Sequence, residues 1–368
     1  MFLSKKVKFL FLLCLLLMPI FVWANDNLGV ETFRAQVVEV VRLEEKTRED
    51  NYNFSQQDLK LLALEGEYKG KELYYYGISD IEVANNNIYQ KGDVVFVDAF
   101  IDESGQTSFY VVDFVRSQHI YWLALIFLAV VLLVGRYKGF KALLGLILSF
   151  VIIIKFILPQ ILAGRDPFFV SLIGGLFIMM VIIYLTEGFK RKSHLAVISV
   201  LFSLIITLVL SLIFTKLSKL SGLSQEEAIF LIGSSQTAIN FQGLLLAGFI
   251  IGAIGVLDDI VIGQIEAVEQ IREANPSLDK KKLFSMAYKV GNTHLGAITN
   301  TLFLTYAGAA LPLLLLFVIN QDSVTFGRLL NTEVVSTEVI RTLVGSIGVM
   351  LSMPIATALA VFRYKNKN

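Results

Sequence analysis

Apolar and polar positions divide this chain into three parts. An apolar run from Phe9 to Val22 follows Lys5, Lys6 and Lys8, residues 25–116 are mostly polar, and long apolar runs recur from Gln118 onward. A bilayer core about 30 Å thick takes roughly 17 to 25 helical residues to cross. Runs of that kind lie near 119–135, 141–162, 168–187, 195–216, 242–265, 295–319 and 338–362, which predicts seven spans. Within the polar part, β-type runs at 33–43, 59–63, 72–76, 94–101 and 108–115 are separated by turn residues such as Gly66, Gly70 and Lys91-Gly92-Asp93. Five short strands predict a small all-β barrel of the OB-like or SH3-like kind.

The expected fold is therefore an α-helical multi-pass transmembrane protein with a small exported all-β domain. Residues 1–24 are a signal peptide or a signal anchor, 25–116 an extracytoplasmic β domain, and 117–368 a seven-helix transmembrane domain. Val22-Trp23-Ala24 offers the small-residue pattern of signal cleavage, whereas Leu13 before Cys14 is too large for lipoprotein processing. The connection at 217–241 is long and half apolar, and reads as an interfacial helix or a re-entrant segment.

Composition adds little beyond this. With 368 residues, 55% hydrophobic and 17% charged, the chain has the apolar content for several spans plus one small domain. A net charge of +1 gives no sign of nucleic acid as a partner, and the single Cys14 excludes an internal disulfide or a cysteine metal cage. The placement of charge matters more. Basic residues collect at 136–141, 190–192, 280–289 and 363–367, every second connection, which the positive-inside rule assigns to the cytoplasm. Lys216 and Lys219 run against the pattern. The expected location is the plasma membrane, with 25–116 outside and the C-terminus inside.

Chemistry concentrates between Ala247 and Gly308. Gly248, Gly252, Gly255, Asp259 and Gly263 recur at steps of three or four, a ridge on which another helix can approach closely. A carboxylate in a membrane helix costs about 2.5 to 3.5 kcal/mol on insertion scales. Asp258 and Asp259 therefore need a partner or a proton. On the following apolar stretch Asn292, Gly296, Thr299 and Asn300 lie near one face, and Ala297, Thr301, Thr305 and Ala309 form a small-residue ridge. The candidate ion- or proton-binding residues are Asp258, Asp259, Asn300, Thr301, Thr299 and Lys155, and the candidate helix-packing glycines are Gly248, Gly252, Gly255, Gly263 and Gly296. Two adjacent carboxyl groups in apolar surroundings resist double ionisation, so the pair is read as sharing a proton or, alternatively, as a structural carboxylate held by Asn and Thr. Lys155 either pairs with an aspartate or snorkels outward.

No enzyme is expected. A protease dyad needs carboxylates on two facing helices, and here both sit on one. Histidines 119, 194 and 294 fall at different membrane boundaries and predict no shared metal site. Glu266, Glu269, Arg272 and Glu273 form an amphipathic link read as a solvated face, and of Tyr74, Tyr75 and Tyr76 at least one is expected in the β core. No cofactor is implied.

The GAIGVLDD of 252–259, the ANP of 274–276 and the THLGAITNTLFLTYAG of 293–308 carry a resemblance. From about Phe140 onward the chain resembles the YibE/F-like family of bacterial multi-pass membrane proteins. Residues 248–308 are also distantly similar to a segment of the resistance-nodulation-division permeases and of SecD/SecF, in which membrane aspartates serve proton-driven transport. The resemblance implies an ion-coupled permease or permease-like subunit, with a homodimer or a second permease subunit as partner. The competing class is a non-transporting accessory or scaffold protein whose outer β domain binds a cell-envelope ligand.

Overall fold

The computed structural model describes residues 30–47, 53–78, 87–101, 107–224, 226–234, 238–319 and 325–364. The expected signal segment 1–24 lies outside them. The chain divides into two units, one ending at Val130 and one running from Val131 to Asn368.

The first unit holds five strands: β1 (Val30–Thr47), β2 (Asn53–Ala63), β3 (Glu72–Tyr76), β4 (Val94–Ile101) and β5 (Thr107–Phe114). They pair in the order β3-β2-β1-β4-β5, antiparallel throughout, and the edge strands β3 and β5 also approach one another. The long β1 bonds to β2 along one side and β4 along the other, with register shifts near Val37 and Val40 that let one strand serve two partners. Alternation then decides the core: Phe33, Ala35, Val37, Leu59, Leu61, Val95 and Val97 point inward and are buried. The tyrosines obey the same rule. Tyr75 packs against the core, whereas Tyr74 and Tyr76 stack on each other on the exposed face, with centroids 6.4 Å apart.

The rest of the described chain is helical, its first helix beginning within the first unit and ending in the second. In chain order come α1 (Ser117–Ile152), a π segment (Ile153–Ile157), α2 (Leu158–Leu162), α3 (Pro167–Glu187), α4 (Arg191–Leu217), α5 (Glu226–Ser234), α6 (Phe241–Ala274), α7 (Lys280–Ala309), α8 (Leu311–Ile319), α9 (Phe326–Leu330) and α10 (Glu333–Phe362). Five helical stretches among the described residues are long and apolar enough to cross a membrane: Ser117–Leu162, Pro167–Glu187, Arg191–Leu217, Phe241–Ala274 and Glu333–Phe362. The first covers two of the expected runs and breaks at Arg136, whose φ of 48° and ψ of −129° lie outside the helix. The π segment precedes Pro159, which has no N–H to donate and crowds the carbonyl four residues earlier. The run expected at 295–319 divides instead at Ala310, between the mixed polar and apolar α7 and the short α8.

Polar caps join the helix ends. Asp166 accepts from Phe168 N to cap α3, and its second oxygen accepts from Asn240 at 3.0 Å. Asn240 in turn caps α6 through Gly243 N. Glu333 accepts from the backbone N–H groups of Ser221 and Gly222, at 2.7 and 3.0 Å, and ties the connection after α4 to the start of α10.

Inside the bundle α6 packs against α3, α4, α7 and α10. The close approaches occur at glycines that the sequence ridge did not contain. Gly175 of α3 lies on Ile254, Gly291 of α7 on Gln264 and Met353, and Gly348 of α10 on Thr207. At Gly248, Gly255, Gly263 and Gly296, by contrast, a Cβ would meet open space, and at Gly252 it would meet only the Tyr306 hydroxyl at 3.2 Å. Among the described residues the expected ridge is thus touched only at Gly252, by Tyr306, and is otherwise open.

Because a Cβ at position 348 would run into the Thr207 side chain, Gly348→Ala should destabilise the bundle by about 1 to 3 kcal/mol. Gly248→Ala should be neutral or slightly stabilising. Thermal unfolding of the two detergent-solubilised variants checks this, and equal behaviour would refute the placement of the close contact.

Candidate functional site

The site is built on α6. Successive helix residues project about 100° apart, so Asp258 and Asp259 cannot face the same neighbour. Asp258 shares its face with Ile254 one turn before it and Ile262 one turn after. Ile254 packs on Gly175 of α3, and Ile262 lines a small cavity with Glu187, Lys192, Ser193 and Ala196 of α3 and α4. Asp258 is accordingly directed at the wall made by α3 and α4. It is half-buried, and its Oδ1 is shut off from solvent without a hydrogen-bond partner. Asp259 belongs to the glycine ridge and is exposed. The expectation of two buried aspartates is corrected here: α6 is covered on the Asp258 side and uncovered on the Asp259 side.

The antiparallel α7 is held beside α6 at two points. Gln264, itself buried, donates to Ala287 O at 2.8 Å and to Thr357 Oγ1 at 2.7 Å, and so joins α6, α7 and α10. Tyr306 meets Gly252 further along. The aspartates lie about midway between these contacts on α6, as do Ile298, Thr299 and Asn300 on α7. The acidic and amide groups therefore lie at a similar level along the two helices.

They do not bond to one another. The α7 side facing the bundle carries Gly291, Leu295, Ile298, Leu302 and Tyr306, and leaves Asn292, Gly296, Asn300, Thr301 and Thr305 exposed. Thr299 and Thr301 donate to Leu295 O and Ala297 O of their own helix, at 2.9 and 3.0 Å. Among the described residues no hydrogen bond joins Asp258 or Asp259 to Asn300, Thr299 or Thr301. Lys155 sits exposed in the π segment, so the pairing alternative for it fails, since its side chain points away from the bundle.

Two features escaped the sequence reading. Glu266 and Glu269 are not merely a solvated face: Lys192 Nζ lies 2.6 Å from Glu266, 3.0 Å from Glu187 and 3.9 Å from Glu269, and Arg363 approaches Glu269 at 3.7 Å. Sequence separation hid this, because the partners come from α3, α4, α6 and the end of α10. The other feature is a hydroxyl stripe on α4. Ser199, Ser203, Thr207, Ser211 and Thr215 are all buried, and the first four donate to the carbonyl four residues back. Ser199, Ser203, Thr207 and Ser211 thereby satisfy themselves while keeping the surface small enough for α10 to approach. Their regular spacing of four was the available signal. His194 bonds to the Tyr184 hydroxyl at 2.7 Å, and His119 and His294 are exposed.

A family model described as YibE/F-like protein matches residues 123–366. No curated protein and no solved structure matches the chain.

Gln264 is the internal strut of this arrangement. Gln264→Leu should leave Thr357 and the Ala287 carbonyl without their shared donor and cost about 1 to 3 kcal/mol. The expected outcome is a lower thermal midpoint, and an unchanged midpoint would show that the bridge carries no stability.

Proposed function

We propose that this chain, which belongs to the YibE/F-like protein family, is a plasma-membrane permease or permease-like subunit coupled to protons or another cation through Asp258 and Asp259. One observation carries the proposal. A structural carboxylate would be expected to accept hydrogen bonds from neighbouring amides or hydroxyls, yet Asp258 Oδ1 is enclosed and has none. A protonated carboxyl tolerates apolar surroundings, and a carboxylate there attracts a proton or cation. A group held between those states can load and release its charge.

The orientation we propose has the β unit outside and seven crossings, with α7 and α8 together as the sixth and the two halves of Ser117–Leu162 as the first two. The alternation of basic connections supports it. A second copy of the chain is the proposed partner. In a bilayer the uncovered ridge of Gly248, Gly255 and Gly263 would present Asp259 to lipid, and the exposed amide of Asn300 on α7 would add a smaller polar cost. A second copy supplies small residues for close approach and amides for Asp259 to bond. The accessory alternative draws support from the exposed Tyr74–Tyr76 stack, which suits an envelope ligand of the β unit.

Substitution with asparagine separates titration from architecture. Asp258→Asn should fold with near wild-type stability, remove one titrating carboxyl from the pH-difference infrared spectrum and abolish proton-linked flux in proteoliposomes. Loss of about 1.5 to 3 kcal/mol of stability with no change in the spectrum would instead mark a structural carboxylate.

For the second copy, the expected result is disulfide cross-linking of Gly255→Cys in a chain whose Cys14 is replaced by serine. A monomer under oxidising conditions, with the introduced thiol freely labelled by a lipid-soluble reagent, would refute the dimer.

A further inference from the structure

At the end of the bundle opposite Lys192, three polar atoms from two helices are enclosed without partners: Thr215 Oγ1 of α4, and Thr337 Oγ1 and Arg341 Nε of α10. They stand level with one another. α4 and α10 run antiparallel, since Ser221, just past the end of α4, bonds to Glu333 at the start of α10, and Thr207 meets Gly348 further in. Thr215 lies eight residues beyond Thr207, about 12 Å along α4, and Thr337 and Arg341 lie eleven and seven residues before Gly348, about 16 and 10 Å along α10. Steps of four and seven keep Thr337, Arg341 and Gly348 on one face of α10, and steps of four keep Thr207 and Thr215 on one stripe of α4. Thr342 and Thr357 of α10 donate to the carbonyl four residues back, but Thr215 and Thr337, each 1% exposed, do not. Arg341 is a cation in a membrane helix, with its side chain 19% exposed. Its Nη1 donates to Glu338 at 2.7 Å, and its guanidinium lies 5.3 Å from the ring centre of the buried Phe249 on α6. Because Glu338 belongs to the same helix, the ion pair joins no two elements and adds nothing to the packing for its desolvation.

We infer that Thr215, Thr337 and the Nε edge of Arg341 form a binding site for the carboxylate of a small organic anion, entered from the end of the bundle opposite Lys192. The inference deepens the permease reading above, on which it rests, by naming the class of solute. With Glu338 on Nη1, the guanidinium keeps its Nε–H and an Nη2–H side by side, a fork that matches the two oxygens of a carboxylate. The two threonine hydroxyls donate to the lone pairs that remain. Charge decides among anions, because one cation already shared with Glu338 does not balance a phosphate dianion, whereas a carboxylate carries a single charge and has the planar shape of the fork. The Phe249 ring offers apolar surface to the rest of the solute. Glu338 competes for the same guanidinium and keeps the affinity low enough for release. Phe249 and Asp258 are nine residues apart on α6, about 14 Å, so this site is separate from the aspartate.

The test is saturation-transfer NMR on the full chain in phosphatidylcholine discs, with acetate, benzoate and succinate as probes and acetamide and benzamide as uncharged controls. At least one carboxylate should receive saturation, and neither amide should. Thr215→Val and Thr337→Val keep the shape and remove only a hydroxyl that has no partner in the chain, so the thermal midpoint should hold while the affinity for that carboxylate falls on the order of tenfold. Glu338→Gln should tighten binding several-fold by freeing the guanidinium, the opposite of what loss of a structural ion pair would do. No transfer to any of the three carboxylates, unchanged affinity in both threonine variants, or weaker binding in Glu338→Gln would overturn the site and leave an internal water as the partner of the three atoms. Displacement of the carboxylate by equimolar inorganic phosphate would overturn the solute class. The infrared titration of Asp258 is read without added solute, so the aspartate reading stands or falls separately. Should one threonine variant fold poorly, the other and Glu338→Gln decide.

Discussion

In hydrocarbon a polar atom has no water to fall back on, and the helical unit is arranged around that constraint. The hydroxyls of Ser199, Ser203, Thr207 and Ser211 turn back on their own helix. The Gln264 amide spans three helices to find its acceptors. Lys192 reaches carboxylates from two other helices rather than remaining alone at the bundle's end. Each solution also fixes geometry. A hydroxyl satisfied within its helix leaves a narrow surface, and α10 takes advantage of it by seating Gly348 on Thr207.

Against that background the exceptions acquire meaning. Asp258 Oδ1 is enclosed without a partner near the middle of α6, as are Ser171 Oγ, Thr337 Oγ1 and Ser346 Oγ on neighbouring helices, but it alone of these belongs to a carboxyl group. Asp259, one residue on, faces outward with the uncovered glycines. The pair is therefore not a single site with two equivalent carboxyls. One group faces the wall of α3 and α4, and the other lies on the exposed side of α6.

The glycines teach a related lesson. A run of Gly at helical spacing states that close approach is permitted on that face, but not who approaches. Here Gly175, Gly291 and Gly348, on three different helices, are occupied by the chain itself, whereas among the described residues the longer ridge on α6 is met only by Tyr306 at Gly252.

Much was legible in the residues alone. Strand limits at β3 and β4, the long apolar helices and the presence of at least one of Tyr74, Tyr75 and Tyr76 in the β core follow from periodicity, because side-chain direction within one strand or helix is set by local geometry. The family was legible as well, since motifs such as GAIGVLDD are contiguous. What the tertiary structure decided were the relations between elements: that α7 turns Asn300 and Thr301 away from the aspartates, that Lys155 lies outside the bundle, and that Glu266 meets a lysine 74 residues earlier in the chain. The rotation of one helix against another depends on the summed packing of all its neighbours, and no local pattern encodes that sum.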